Sequence, residues 1–314
     1  MKRSHLVAVL FAAFTLNIQP TAQADTFGGG TSNEFTIDFV AIGNTGNAAD
    51  TTTYGAVPYE YRTGKNEISQ LQITKATQIG MANVSAGAWT GSQPAADITW
   101  YEAAAFVNFL NTNSGKTAAY DLTFSSGSWS MALWSSGQAW TAGGTNLYRN
   151  KDAFYFLPSE NEWYKAAYYK GGGTNAGYWL YPTASSSVPT AVASGTNAGT
   201  AVYDFAASVP AIVESAGGLS PYGTMGQGGN VWEWNESAFD GTNNLSSEGR
   251  AIRGGDWGVA EDYLRSSDRL IDAPTSEGSS FGFRVASVPE PSTYVLVLMG
   301  AGALYLWKRR KSSL

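Results

Sequence analysis

The sequence predicts a single α+β domain of low regular secondary structure, with two short helices at about 99–112 and 159–169 set among short strands and long loops. Three observations predict it. Each helical segment opens with a capping box and continues with helical spacing of apolar residues. The strand candidates are all short and bounded by turn residues. The 36 glycines among 314 residues sit in long Gly/Ser/Thr/Asn-rich connections, yet the aromatic content of 13% is too high for a disordered chain. Residues 25–287 are enough for one large core.

The elements follow in order. Met1, Lys2 and Arg3 precede an apolar run from Leu6 to Leu16 and the sequence Ala22-Gln23-Ala24. Charge, apolar run and small-x-small site in that order are a secretory signal, 1–24, cut between Ala24 and Asp25. The run falls short of the roughly 20 apolar residues a span needs. Phe35–Ile42 alternates as a first strand, and Gly43–Gly55 is a loop. Tyr59–Tyr61 and the segment toward Ile68 form a second strand ending near Gln72. Thr99 and Glu102 box the first helix, with Ala104, Val107 and Leu110 on one face. Ser159 and Glu162 box the second, behind Pro158, where no helical hydrogen bond is lost. Tyr178–Tyr181, Val231–Trp234, Ala251–Arg253 and Phe281–Val285 are the remaining strand candidates.

The chain closes on Val288-Pro289-Glu290-Pro291, an apolar stretch over 293–307 and the basic cluster Lys308, Arg309, Arg310 and Lys311. Read plainly, 288–314 is a one-pass transmembrane helix whose basic end stays cytoplasmic. Removing the six basic residues and one acidic residue of the two ends from totals of 19 and 25 leaves 13 basic and 24 acidic residues, about −11. That balance excludes nucleic acid as a partner, which needs a basic footprint. There is no cysteine, and the single histidine, His5, lies in the signal. Thiolate nucleophiles, Cys/His metal sites and Ser-His-Asp triads are therefore excluded. Carboxylate, amide, hydroxyl and aromatic chemistry remain, with a hard cation as an option.

Six motifs occur in order. They are Tyr61-Arg62-Thr63-Gly64-Lys65-Asn66-Glu67-Ile68-Ser69, Ile98-Thr99-Trp100-Tyr101-Glu102-Ala103 and Phe156-Leu157-Pro158-Ser159-Glu160-Asn161-Glu162-Trp163. Gly229-Asn230-Val231-Trp232-Glu233-Trp234, Arg253-Gly254-Gly255-Asp256-Trp257 and Gly282-Phe283-Arg284 complete the series. The series resembles the formylglycine-generating enzyme family, the sulfatase-modifying factor domain, over about Phe35 to Ala286. The resemblance implies a C-type-lectin-like fold. The tail resembles a PEP-CTERM sorting signal, which implies processing by an exosortase. It also implies display at the cell envelope, the outer surface or the extracellular matrix of a Gram-negative bacterium, after transient anchoring in the inner membrane.

Active members of that family oxidise a substrate cysteine with O2 and a copper ion held by two cysteines. The corresponding positions here are Val259 and Leu264, so copper is not expected, nor is the oxidase activity. The family's calcium site implies Gly229, Val231 and Glu233 as ligands, weakened because Gly226 stands where an Asn or Asp is usual. The competing reading pairs Glu233 with Arg253 or Arg284. The family's second calcium site implies an Asn just before an aromatic pair, where the chain has Ala201 before Val202-Tyr203.

Trp100, Trp163, Trp232, Trp234 and Trp257 are expected in the core, while Trp89, Trp129, Trp134, Trp140 and Trp179 are either satellite packing or exposed rings for sugars or peptides. Arg253, Arg265, Arg269 and Arg284 are expected to tie carbonyls and carboxylates together. The expected function is a non-catalytic binding or structural module, with extracellular polysaccharide or a surface protein as partner. The alternative is an enzyme of another class, a carboxylate-based hydrolase using residues such as Asp256, Glu261, Asp262 and Asp268, or a partner-dependent oxidase.

Overall fold

The computed structural model describes residues 23–173 and 175–289. Its larger sheet begins with β1 (Gln23–Phe27), β2 (Phe35–Ile42) and β3 (Tyr61–Gly64). In β2, Phe35, Ile37 and Phe39 are buried while Thr36 and Asp38 are exposed, the period-two pattern of a strand with one wet face. Helix α1 (Gln70–Gln78) follows, then α2 (Trp100–Asn113). A hairpin of β4 (Asp121–Ser125) and β5 (Ser128–Ala132) turns at Ser126-Gly127, both at positive φ as a two-residue hairpin turn requires. A second small ladder joins β6 (Ala139–Trp140) to β7 (Asn146–Asn150), ahead of β8 (Tyr155–Phe156) and α3 (Glu160–Tyr168).

Past α3 the regular elements are brief. β9 (Thr190–Ala191) pairs in parallel with β10 (Thr200–Ala201). The second sheet is built from β11 (Trp232–Ala238), β12 (Arg250–Arg253), β13 (Leu270–Asp272) and β14 (Phe281–Gly282), in the order β13-β12-β11-β14. The last strand, β15 (Ala286–Ser287), returns to the larger sheet, whose order is β1-β2-β3-β15-β8. The first and last strands of the described chain thus belong to one antiparallel sheet.

The core lies between this sheet and α2, whose Trp100, Ala103, Phe106, Val107 and Leu110 are fully buried. Phe106 meets Phe35 at 6.4 Å and Phe283 at 5.6 Å between ring centroids. Both expected helices are present, each with its capping box reciprocated: Thr99 with Glu102, and Ser159 with Glu162.

Three expectations about elements need correction. The second strand does not run toward Gln72. β3 stops at Gly64, and α1 begins at Gln70 behind a third capping box formed by Ser69 and Gln72. Tyr178–Tyr181 is not a strand; its ends make single bridges, Tyr178 to Tyr169 and Tyr181 to Ser185. Of Phe281–Val285 only Phe281 and Gly282 form a strand, β14; Arg284 then reaches a buried carboxylate, and β15 starts past the expected segment at Ala286. Among the described residues no helix is long and apolar enough to cross a membrane. The apolar stretch 293–307, like Glu290, Pro291 and the basic cluster Lys308 to Lys311, lies outside the described residues, as does most of the leader.

Candidate functional site

The residues expected to hold calcium come together around an ion pair. Glu233 is fully buried and accepts from Arg284 through Nε at 2.6 Å and a terminal nitrogen at 2.5 Å, and from the Trp163 indole N–H at 2.8 Å. Arg284 spends its remaining donors on the carbonyls of Gly64 and Met225, both at 2.9 Å. Of the two arginines weighed for Glu233, the partner is Arg284.

Gly229 is held at φ +80°, and a Cβ there would lie 2.0 Å from the Val202 carbonyl oxygen, so only glycine fits. Val231 is fully buried. At Gly226 a Cβ would stand 2.7 Å from a carboxylate oxygen of Glu67, so this carboxylate occupies the space that an Asn or Asp side chain would need. Calcium takes six to eight oxygens. Here the one carboxylate of the set is engaged by a guanidinium, and no group of three His, Cys, Asp or Glu side chains suited to a metal occurs among the described residues.

Sequence reasoning passed over Glu67. It accepts from the Asn230 side-chain amide at 2.8 Å, while its other oxygen is buried with no hydrogen-bond partner. Burial, and then the neighbouring Glu233 charge, hold its carboxyl well above the usual carboxylate range, against the pull of Arg284 and the Asn230 amide. Its place in the Asn66-Glu67-Ile68 motif was the available signal.

The other arginines act as ties, as their residue type suggests. Arg253 and Arg269 both clasp Glu160, at 2.7 Å each through Nε, and Arg253 also donates to the carbonyls of Ser266 and Asp268. Arg265 pairs with Asp262 at the surface, at 2.6 Å. Arg149, not singled out from the sequence, bridges the fully buried Glu162 and Glu236 at 2.8 and 2.7 Å. Of the acidic stretch, Asp256 accepts from the Gly258 N–H and Asp262 is the partner of Arg265.

Val259 and Leu264 lie side by side. A Cβ on Gly255, at φ +78°, would meet Leu264 at 2.9 Å and Val259 at 3.0 Å, so both side chains close over this glycine. They pack with Tyr181, Ala201 and Tyr203 in a small apolar cluster of their own.

Beside them a large ring stands in solvent. The Asp204 and Phe205 N–H groups donate to the carbonyls of Val259 and Trp257, and both residues sit at positive φ, 55° and 53°. That conformation is rare and costly for a bulky residue. It leaves Phe205 73% exposed, its ring against Gly258. Val209, Ile212 and Tyr263 are also exposed, and Trp257 meets Trp89 edge-on at 5.3 Å. Trp257 is half-buried and belongs to this face, whereas Trp100, Trp163, Trp232 and Trp234 are core. Among the outlying tryptophans, Trp134 and Trp140 bond nearby carbonyls, and Trp179 lies under Lys170 at 4.5 Å.

At the chain ends, Ala24 and Asp25 fall within β1. Asp25 is buried, accepting from Arg62 at 3.0 and 2.6 Å and from the Tyr155 hydroxyl at 2.9 Å. Arg62 also donates to Ser287 Oγ at 2.9 Å, one residue before Val288 and two before Pro289.

Comparison with known proteins agrees with this architecture. Treponema denticola variable protein 1 superposes with a TM-score of 0.57 at 22% identity, covering 86% of this chain and all of the other. CarF superposes at 0.56 with 19% identity, covering 81% and 99%. At these identities the likeness speaks to fold. No curated protein matches the chain in sequence. Residues 287–311 match the PEP-CTERM protein-sorting motif, which makes this an exported protein subject to exosortase processing. Residues 32–288 match the sulfatase-modifying factor enzyme 1-like domain, and the chain belongs to that family.

Proposed function

We propose that this protein is a non-catalytic binding module displayed at the cell envelope or in the extracellular matrix, and that it engages another envelope protein through the face around Phe205. The observation that carries the reading is the pair Val259 and Leu264. Where active relatives place two copper-binding thiols, two hydrocarbon side chains close over Gly255. Neither forms a thiolate or binds copper, and the chain has no cysteine to replace them. The strained Asp204–Phe205 backbone beside them holds a large ring in solvent, an arrangement more suited to a partner than to stability.

Carboxylate hydrolysis has little support. Glu162 and Glu236 are fully buried on Arg149, and Glu160 and Glu233 are committed to arginines. Calcium at Gly229, Val231 and Glu233 would require that Glu233 leave Arg284.

Two measurements test the reading. The purified protein, given copper, O2 and a cysteine-containing sulfatase peptide, is expected to form no formylglycine; turnover would end the proposal. A photo-crosslinker placed at position 205 in cells should trap a defined envelope protein, and Val209→Ser with Ile212→Ser should abolish the adduct. Cross-linking that is indifferent to these changes would remove the face from consideration.

A further inference from the structure

A second site is distinct from the Val259 cluster. The β4–β5 hairpin, the start of α2 and the segments 83–85 and 275–277 wall a cleft of about 450 Å3, within the range of small-ligand sites. It shares no lining residue with the Val259 cluster.

One wall is aromatic. Phe124, 38% exposed, and Trp129 meet with ring centroids 5.0 Å apart at 60°. The Trp129 indole N–H donates to the Asn83 carbonyl at 2.9 Å, which fixes the ring across the cleft mouth. The tight Ser126-Gly127 turn and the five-residue register of the hairpin hold both rings on a rigid support.

The rest of the lining is mostly polar, with hydroxyls, carboxylates and Asn83 beside Val84. Glu102 is held by Ser85 and Thr99, which donate to it through N–H and hydroxyl at 2.9 to 3.0 Å. Glu277, Thr275 and the Tyr101 ring belong to it too. Among the described residues no Lys or Arg lines the cleft.

We propose that this cleft binds an uncharged saccharide. A sugar ring offers C–H faces to an aromatic platform and a rim of hydroxyls to carboxylate, amide and hydroxyl groups. The cleft presents both chemistries in its lining. Phosphate, sulfate or a uronate would meet two carboxylates and no cation. A wholly apolar ligand would strip water from Glu277 without replacing its hydrogen bonds. A bare divalent ion lacks a cluster of three acidic ligands.

The test is titration of the exported, processed protein with cellohexaose, N-acetyl-chitohexaose, a glucosamine hexamer and an alginate hexamer, followed by tryptophan fluorescence and calorimetry. One of the two neutral oligomers is expected to saturate the signal. Phe124→Ala and Trp129→Ala should each weaken that binding about tenfold or more, and Trp179→Ala, outside the cleft, should leave it unchanged. Phe124 is exposed, so its variant keeps the fold in place if Trp129→Ala does not. The proposal is overturned if neither neutral oligomer binds at millimolar concentration or if Phe124→Ala binds like the parent. It is equally overturned if the glucosamine or alginate oligomer binds as tightly as the neutral one. None of these outcomes bears on the Phe205 face, whose cross-linking test stands apart.

Discussion

Glu67 shows how one buried group can set the response of the molecule to pH. Burial and then the Glu233 charge raise its carboxyl, so its folded pKa lies above the unfolded value near 4.5. Below that value both states hold the proton and the group is neutral with respect to pH. As pH rises past 4.5 the unfolded chain releases a proton that the folded chain retains, so stability contributed by this group falls with rising pH. Glu67→Gln removes the titration while keeping the shape and the acceptor for the Asn230 amide. Thermal melts from pH 4 upward should therefore show the parent losing ground to the variant as pH rises. A constant gap between the two curves would mean that Glu67 is ionised in the fold. Neither the raised carboxyl nor the Glu233–Arg284 pair could be read from spacing alone, because Glu67 meets Asn230 across 163 residues of chain and Glu233 meets Arg284 across 51. The sequence could only offer two candidate arginines, and tertiary packing chose between them.

Helix starts were the most legible feature at the level of elements, and they also account for the clearest miss. A capping box satisfies the first orphan N–H groups locally, so its pattern survives in the sequence whatever the tertiary context. Thr99 and Ser159 were found this way. Ser69-x-x-Gln72 carries the same device, but α1 buries only Ile73 and Ala76 and so lacks the apolar stripe that would have announced it. Ser69→Ala should cost about 1 kcal/mol, read as a lower denaturant midpoint with unchanged slope. A loss below the error of the measurement would show that packing under Ile73, not the cap, starts the helix. The two-residue ladders near Thr190 and Thr200 left no periodic trace, since a strand of two residues has no alternation to detect. β1 was hidden for another reason: it overlaps the processing site of the leader and was read as targeting sequence.

On the scale of the whole molecule, the fold class was legible while its closure was not. Short strands, two boxed helices and glycine-rich connections predicted an α+β domain. Nothing local foretold that Gln23–Phe27 and Ala286–Ser287 would share a sheet, since such pairing is specified by packing at long range. Arg62 stands between these ends, stacked on Phe39 at 4.7 Å and bonded to both Asp25 and Ser287. Arg62→Met should leave the buried Asp25 without its cation and cost about 3–5 kcal/mol, measured by chemical unfolding. Adding Asp25→Asn should recover much of that loss, because the stranded charge is then gone. Failure of the second change to recover stability would place the loss in ring packing instead.

The same closure bears on how the tail is removed. Ser287 is fully buried in the sheet, and only Val288, whose N–H is donated to the Phe154 carbonyl, separates it from Pro289. A processing enzyme therefore finds no slack chain on the domain side of the motif. A cut beyond Pro289 would leave the sheet edge whole, whereas one closer to the domain would need β15 to peel away and give up its bond to Arg62.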